Sequence, residues 1–412
     1  MSASPEASGI ATLRSDAAQS RIPALTGMRA IATLLVIGTH AAFATGKLTH
    51  GYLGAIYARL EVGVAVFFVL SGFLLFRPLA AAAASGGPLP DTARYFRHRV
   101  RRIAPAYLVV VLATFELYVV FTPGPNPAQT WHGLLRYLTL TQIYTDDYLV
   151  TYLHPGLSQM WSLAVEASFY AALPALAYVL LRMRAGWRPG RTLADLALLG
   201  AIAPGWLLIA ASGVLPNSAG MWLPAHLGCF AGGMALAVLH IRGARWRART
   251  ALASAAALFL VVATPVGGAI IGPDPVWVPA AKSLLYAAIA TLAVGALVLG
   301  DWPRYGRILS SRPMTWLGQI SYEIFLLHVV VMAVTMHVVL RWQLFTGSLL
   351  GLYLATLMVT VPLAWALHAV TRPRSAGNSS VNARPRCDAA SFSSGVSSAA
   401  ERAEPCGTKT GS

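Results

Sequence analysis

Charge is what this sequence has least of. Asp, Glu, Lys and Arg make up only 11% of it, where a soluble domain carries about 25%. A chain so poor in charge cannot cover a globular surface in water, which excludes an ordinary soluble enzyme. Cysteine is nearly as scarce: Cys229 sits in an apolar run, and Cys387 and Cys406 lie near the C-terminal end. Three thiols so spread form neither a disulfide framework nor a metal site. Residues 1–20 lack the apolar core of a secretory signal, so the first membrane helix is expected to serve as an uncleaved targeting signal. Lysine is rare beside arginine, 3 against 28, a bias typical of a high-GC bacterial genome. No internal repeat and no second folded domain is evident.

What fills the chain instead is apolar. Hydrophobic residues make up 56% of it, with a mean hydropathy of +0.61. Runs close to twenty residues long recur throughout, so the fold class is all-α, a polytopic bundle of about ten transmembrane helices in the lipid bilayer. The spans fall near 28–46, 61–84, 103–122, 158–181, 193–214, 221–240, 250–265, 280–300, 314–338 and 347–370. A net charge of +16 could suit nucleic acid, but the cations cluster in short connections, as the positive-inside rule expects. No nucleic-acid partner is expected. Arg77, the group from Arg94 to Arg102, and those near 182–191, 242–249 and 304–312 share one side. Only Lys47, Arg59, Arg136, Lys282 and Arg341 fall on the other. The expected topology is therefore N-in/C-in, multi-pass, in the plasma (inner) membrane. Residues 123–157 form the largest outer connection, expected to pack as short amphipathic helices. Residues 1–20 and 373–412 are expected to be disordered cytoplasmic ends, leaving 21–372 as the membrane domain.

Five stretches could carry chemistry. Arg29 and His40 are eleven residues apart, three helical turns, so they share a helix face about 16 Å apart. That is about half the hydrocarbon thickness of a bilayer. An ionisable group inside a membrane helix is a candidate for function; a satisfied interhelical hydrogen bond is the plain alternative. Ser71-Gly72 falls in mid-helix and reads as either a packing notch or a substrate groove. Arg99 and Arg102, three apart, point the same way. They are either topology-setting cations or a grip for a phosphate-bearing ligand, since guanidinium binds phosphate bidentately. In Trp161-Ser-Leu-Ala-Val-Glu166, residues Ser162, Glu166 and Tyr170 share a face, and Glu166 calls for a partner such as a histidine at similar depth. In the stretch Ser321-Tyr322-Glu323 to His328, the histidine lies near the depth of His40 and Glu166, with Glu323 closer to the inner end. His226, His240, His337 and His368 lie near helix ends and read as interfacial. The pair Asp146-Asp147 has no second acidic cluster to make a metal site, so no metal is expected.

Taken in order, these stretches resemble the acyltransferase-3 family of bacterial integral membrane acyltransferases, with an actinobacterial composition. The resemblance covers about residues 21–370. It rests on Leu25-Thr-Gly-Met-Arg29 with His40, Gly63-Val-Ala-Val-Phe-Phe-Val-Leu-Ser-Gly-Phe73, Arg99-Val-Arg-Arg-Ile-Ala-Pro105 and Trp161-Ser-Leu-Ala-Val-Glu166. Residues 321–328 make a weaker fifth. Thr26, Ala65 and Ala167 depart from polar residues common in the family. The resemblance implies acyl transfer from cytoplasmic acyl-CoA, a co-substrate with no other cofactor, to a hydroxyl of a carbohydrate-containing acceptor. That acceptor would be an envelope polysaccharide, a glycolipid or a macrolide. It implies an essential His40, a donor site at Arg29, Arg99 and Arg102, and an acidic Glu166. No extra C-terminal hydrolase-like domain is expected.

On this reading His40 is the general base and Glu166 orients it or stabilises its charged form. Arg29, Ser71, Arg99, Arg102, Trp161, Ser162, Tyr322 and His328 contact substrates, and an acyl-histidine intermediate remains open. The rival from another class is a proton-coupled transporter or lipid exporter using the buried His and Glu as a relay. A membrane acyltransferase built on histidine and asparagine ranks lower, since no membrane histidine here has an asparagine partner.

Overall fold

The computed structural model describes residues 22–146, 153–182, 187–269 and 272–372. The stretches 1–20 and 373–412, expected to be disordered, lie outside the described residues, as does Asp147. The described chain is helical. Helix α1 is Pro23–Ala44; α2, Gly51–Arg59, runs into α3, Val62–Ala84; α4 is Thr92–Val120 and α5 is Trp131–Leu138. A 3-10 turn, Pro155–Met160, leads into α6, Trp161–Leu181. Then come α7, Pro189–Ala211; α8, Leu223–Ile241; α9, Ala248–Val262; and α10, Val278–Val298. Two short helices, α11 (Pro303–Leu309) and α12 (Arg312–Gln319), precede α13, Ser321–Val334. Helix α13 continues through a π turn, Thr335–Val339, and α14 is Leu349–Thr371. Among the described residues, nine helices are long and apolar enough to cross a bilayer.

Three boundaries differ from expectation, each for a local reason. The seventh expected span exists as α9, but with 15 residues it is about 22 Å long, short of the hydrocarbon core of about 30 Å. Thr264 and Pro265 end its run in a 3-10 turn. The ninth splits into α12 and α13 at Ile320, where Gly318 presses on α1: a Cβ there would lie 1.9 Å from the Thr26 carbonyl oxygen. Helix α4 starts well before residue 103, since Asp91 caps it by accepting the amides of Ala93 (3.1 Å) and Arg94 (3.2 Å). The basic stretch is thereby the first three turns of a membrane helix.

Helices α1, α3, α8 and α13 are largely buried, whereas α7, α10 and α14 present most of their apolar surface outward. The main core joins α1 and α3 with α6, α8 and α10, and a second joins α1 to α13 and α14. Glycine allows the central approach. A Cβ on Gly72 would lie 2.3 Å from the Phe230 carbonyl oxygen, and one on Gly233 2.1 Å from that of Val69. Gly72 is thus the packing notch of the two readings open for it, and α3 and α8 cross there backbone to backbone. At the far end, α1 stops at Gly46, whose φ of +72° reverses the chain. There Phe345 donates its amide to the Ala44 carbonyl at 2.7 Å, tying the α13–α14 connection to the end of α1.

Candidate active site

Helix α1 carries the two ends of the site. At its His40 end, the His40 and His328 rings lie 5.2 Å apart at 59°. His328 is fully buried, and its Nδ1 is 2.7 Å from the Phe325 carbonyl oxygen. A carbonyl only accepts, so Nδ1 carries the proton and Nε2 presents a bare lone pair. That Nε2 has no partner among the described residues. The turn beneath is fixed by Gln159, whose side-chain amide donates to the carbonyls of Phe325 (3.3 Å) and Leu326 (2.8 Å). Two helices therefore bring two imidazoles together, one of them held in a single tautomer.

At the other end, Arg29 has Arg102, Tyr170, Glu166 and Arg99 as its charged and polar neighbours. Glu166 accepts hydrogen bonds from the hydroxyls of Ser71 on α3 and Tyr170 one turn further along α6. The Arg99 guanidinium lies over two rings, Tyr95 at 5.9 Å and Tyr170 at 5.8 Å, which holds it where a free surface arginine would swing. Tyr322 donates to the Ile103 carbonyl at 3.0 Å, pinning α13 to the turn that bears Arg99 and Arg102. Arg29, Ser71, Arg99, Arg102, Glu166 and Tyr322 thus gather in one cluster.

Glu166 stands apart from His40 in this arrangement. The sequence suggests that it supports His40, but among the described residues no hydrogen bond, ion pair or ring contact joins the two. The offset between α3 and α6 sets Glu166 against Ser71 instead. Among the described residues His40 has Glu61, at the start of α3, as its charged neighbour. Glu61 is ion-paired with Lys282 and accepts from the Tyr286 hydroxyl at 2.9 Å. Thr39, next to His40, reaches the Ala58 carbonyl at 3.4 Å, and a Cβ on Gly38 would meet Leu60 at 3.0 Å, so α1 packs here against the turn that ends in Glu61. Sequence reasoning passed over Glu61. Its signal was an acid heading an apolar run, matched by Lys282 and Tyr286 four apart on one helix face.

Two further residues expected to contact substrate have partners within the bundle. Ser162 donates to the Gln159 carbonyl at 3.2 Å, and Trp161 lies among Phe68 (6.4 Å) and His226 (5.2 Å). Glu323 is 1% exposed and is held by His368 at 2.9 Å and Arg372 at 3.6 Å. His368 is therefore an internal partner of a buried carboxylate, where an interfacial side chain was expected.

One helical membrane bundle thus holds an arginine-and-carboxylate cluster towards one end of α1 and paired imidazoles towards the other. The chain belongs to the acyltransferase-3 family: the family model, described as an acyltransferase domain, matches residues 22–369. It is an integral membrane acyltransferase, and the transporter reading gives way. The chain is 28% identical to acyltransferase MdmB of Streptomyces mycarofaciens over 370 residues, 85% of this chain and 90% of that protein. It is 24% identical to peptidoglycan O-acetyltransferase OatA of Listeria monocytogenes over 326 residues, 76% of this chain but 50% of that one. With O-acetyltransferase OatA of Staphylococcus aureus the identity is 23% over 192 residues, 46% of this chain and 29% of the relative. The chain thus spans half or less of the two OatA proteins. No solved structure matches it.

Proposed function

We propose that this protein is a plasma-membrane O-acyltransferase that takes an acyl group from acyl-CoA at the Arg29 end and transfers it to a hydroxyl of a carbohydrate-containing acceptor at the His40 end. The observation that carries the reading is the division of labour along α1. One end gathers Arg29, Arg99 and Arg102, and the other pairs His40 with His328. Guanidinium groups suit the phosphates of CoA. The spacing of about 16 Å along α1 matches a pantetheine arm reaching from the cations to the imidazoles.

In the reaction, His40 removes the proton from the acceptor hydroxyl as its oxygen attacks the thioester carbonyl. The C–S bond then breaks, and the imidazolium returns its proton to the leaving CoA thiolate. His328, with Nδ1 committed to a carbonyl, is suited to steady the His40 ring through its bare Nε2. Glu61 is the counter-charge for the imidazolium, while Glu166 orders the donor chamber. At the His40 end an open cavity of about 690 Å³, lined by Pro123, His337, Arg341, Trp342 and Gln343, offers an aromatic and hydrogen-bonding surface to a sugar. The name of the Listeria relative, a peptidoglycan O-acetyltransferase, supports a glycan acceptor in this chain.

The membrane domain on this reading is 21–372, with both termini cytoplasmic. The direct test is purified protein in lipid nanodiscs with labelled acyl-CoA, scoring release of the CoA thiol and label on an added glycan. Thiol release and transfer that need protein and vanish in His40→Ala support the proposal; no turnover of any acyl-CoA by the wild type overturns the donor.

A further inference from the structure

At the Arg29 end of the bundle, the start of α9, α11 and the connection that precedes α11 surround a cavity of about 610 Å³ lined by Arg247, Arg249, Asp301, Trp302, Arg304 and Arg307. Helix α11 belongs to this end because it abuts α1: a Cβ on Gly27 would lie 2.0 Å from the Leu309 carbonyl oxygen. Topology-setting cations need only lie on one side of the membrane. Nothing in that rule gathers four of them around one opening, where their mutual repulsion opposes the arrangement. Arg242 and Arg245, in the same connection, and Arg312 lie outside the lining.

The cavity is also built. Trp246 donates its amide to the Leu299 carbonyl at 2.8 Å, clamping the start of α9 to the end of α10. The Arg249 guanidinium rests over the Trp302 ring at 5.5 Å, and Trp302 stacks on Tyr305 at 6.2 Å and 23°. Arg249 is therefore held in place beside an aromatic floor. Asp301 does not cancel the field. Its Oδ1 accepts the Ala248 amide at 2.9 Å, and it is one carboxylate against four guanidinium groups.

The geometry points to a second anion site on this protein, formed by Arg247, Arg249, Arg304 and Arg307 around Trp302, which binds a phosphate-bearing ligand. Guanidinium forks grip phosphate oxygens in pairs, and the indole adds a flat face beside them. Two sources carry that chemistry at the end of a membrane bundle: the headgroup of an anionic phospholipid and the phosphates of a soluble nucleotide. The inference stands on this cavity alone, and it holds whether or not Arg99 and Arg102 bind an acyl donor.

The test compares Arg304→Gln/Arg307→Gln with Arg242→Gln/Arg245→Gln, which removes the same charge outside the cavity. Both are made in an Arg99→Gln/Arg102→Gln background, so that the donor cations do not contribute. One arm measures phosphatidylglycerol retained on the purified protein by native mass spectrometry, against phosphatidylcholine. The other titrates ADP and inorganic pyrophosphate by calorimetry. The cavity pair should lose about tenfold in affinity in at least one arm, and the outer pair should not. Loss of phosphatidylglycerol alone assigns a lipid headgroup, loss of ADP or pyrophosphate alone assigns a soluble ligand, and loss of both assigns the shared phosphate chemistry. Equal losses in the two pairs would reduce the effect to bulk charge and overturn the site, as would unchanged binding in both arms.

Discussion

The two ends of α1 hold ionisable groups inside a membrane bundle in opposite ways. Around Arg29 the protein gathers charge: two more arginines, a carboxylate and two tyrosines. Around His40 it places a carboxylate, Glu61, that is already paired with Lys282, and leaves two imidazoles 5.2 Å apart, one with an Nε2 unpartnered among the described residues. A dense ionic cluster is preorganised for binding an anion, because its charges are already in place and oriented. A pair of imidazoles with a spare lone pair is suited to moving a proton. The difference teaches that one helix can hold two kinds of polar site, an ionic cluster that includes Glu166 and a ring pair with Glu61 as its charged neighbour; that binding and chemistry divide between them is the proposal the following variants test.

The largest effect that would break this comparison is at His40. His40→Ala should lower single-turnover acyl transfer by about 10²–10⁴ while acyl-CoA affinity stays near wild type. A loss of affinity equal to the loss of rate would mean that the ends are not separate. Next comes the opposite variant, Arg99→Gln/Arg102→Gln. It should weaken acyl-CoA binding by about tenfold or more yet leave the rate at saturating donor largely intact. The deficit should narrow as salt rises, since screening already weakens the exposed Arg102 contact; a deficit in rate alone would count against the donor role.

The two carboxylates sharpen the contrast at a smaller scale. Glu61→Gln should move the pH–rate profile, because it removes the counter-charge of the imidazolium. Glu166→Gln should raise the KM for the donor with the profile unmoved. Rates measured from pH 5 to 9 at several donor concentrations separate them, and a profile shift in Glu166→Gln would return that residue to the His40 end. The smallest effect concerns the connection between α4 and α6, where burial pushes His154 down to about 4 from its usual 6.5. Its neutral ring is bound by Asn126 (2.9 Å), Gln129 (2.8 Å) and the Gly156 amide (3.1 Å). The unfolded chain takes up a proton below pH 6.5 that the folded one refuses, so stability should fall as pH drops from about 6.5 to about 4. His154→Gln should flatten that part of the melting-temperature profile; an unchanged slope would assign it elsewhere.

Topology admits a simple check of orientation in the same protein. With native cysteines removed, Gly124→Cys, exposed at the His40 end, should react with an impermeant thiol reagent in intact cells. Gly190→Cys, exposed at the Arg29 end, should not; the reverse pattern would invert the protein in the membrane.

The all-α bundle, the spacing of Arg29 and His40, and the shared face of Arg99 and Arg102 were legible in the chain, because helical geometry is local and repeats every 3.6 residues. The family, too, follows from short ordered motifs that need no coordinates. The partner of Glu166 was not legible. Its depth along α6 could be counted, but which residue it meets depends on how far α6 slides along α3, a quantity that no single helix encodes. Glu61 stayed hidden for the same reason, since its partners Lys282 and Tyr286 stand more than two hundred residues away. The notches of Gly72 and Gly318 likewise acquire meaning only against the Phe230 and Thr26 carbonyls. Helix periodicity sets which side chains share a face; only the packing of one helix on another decides what that face touches.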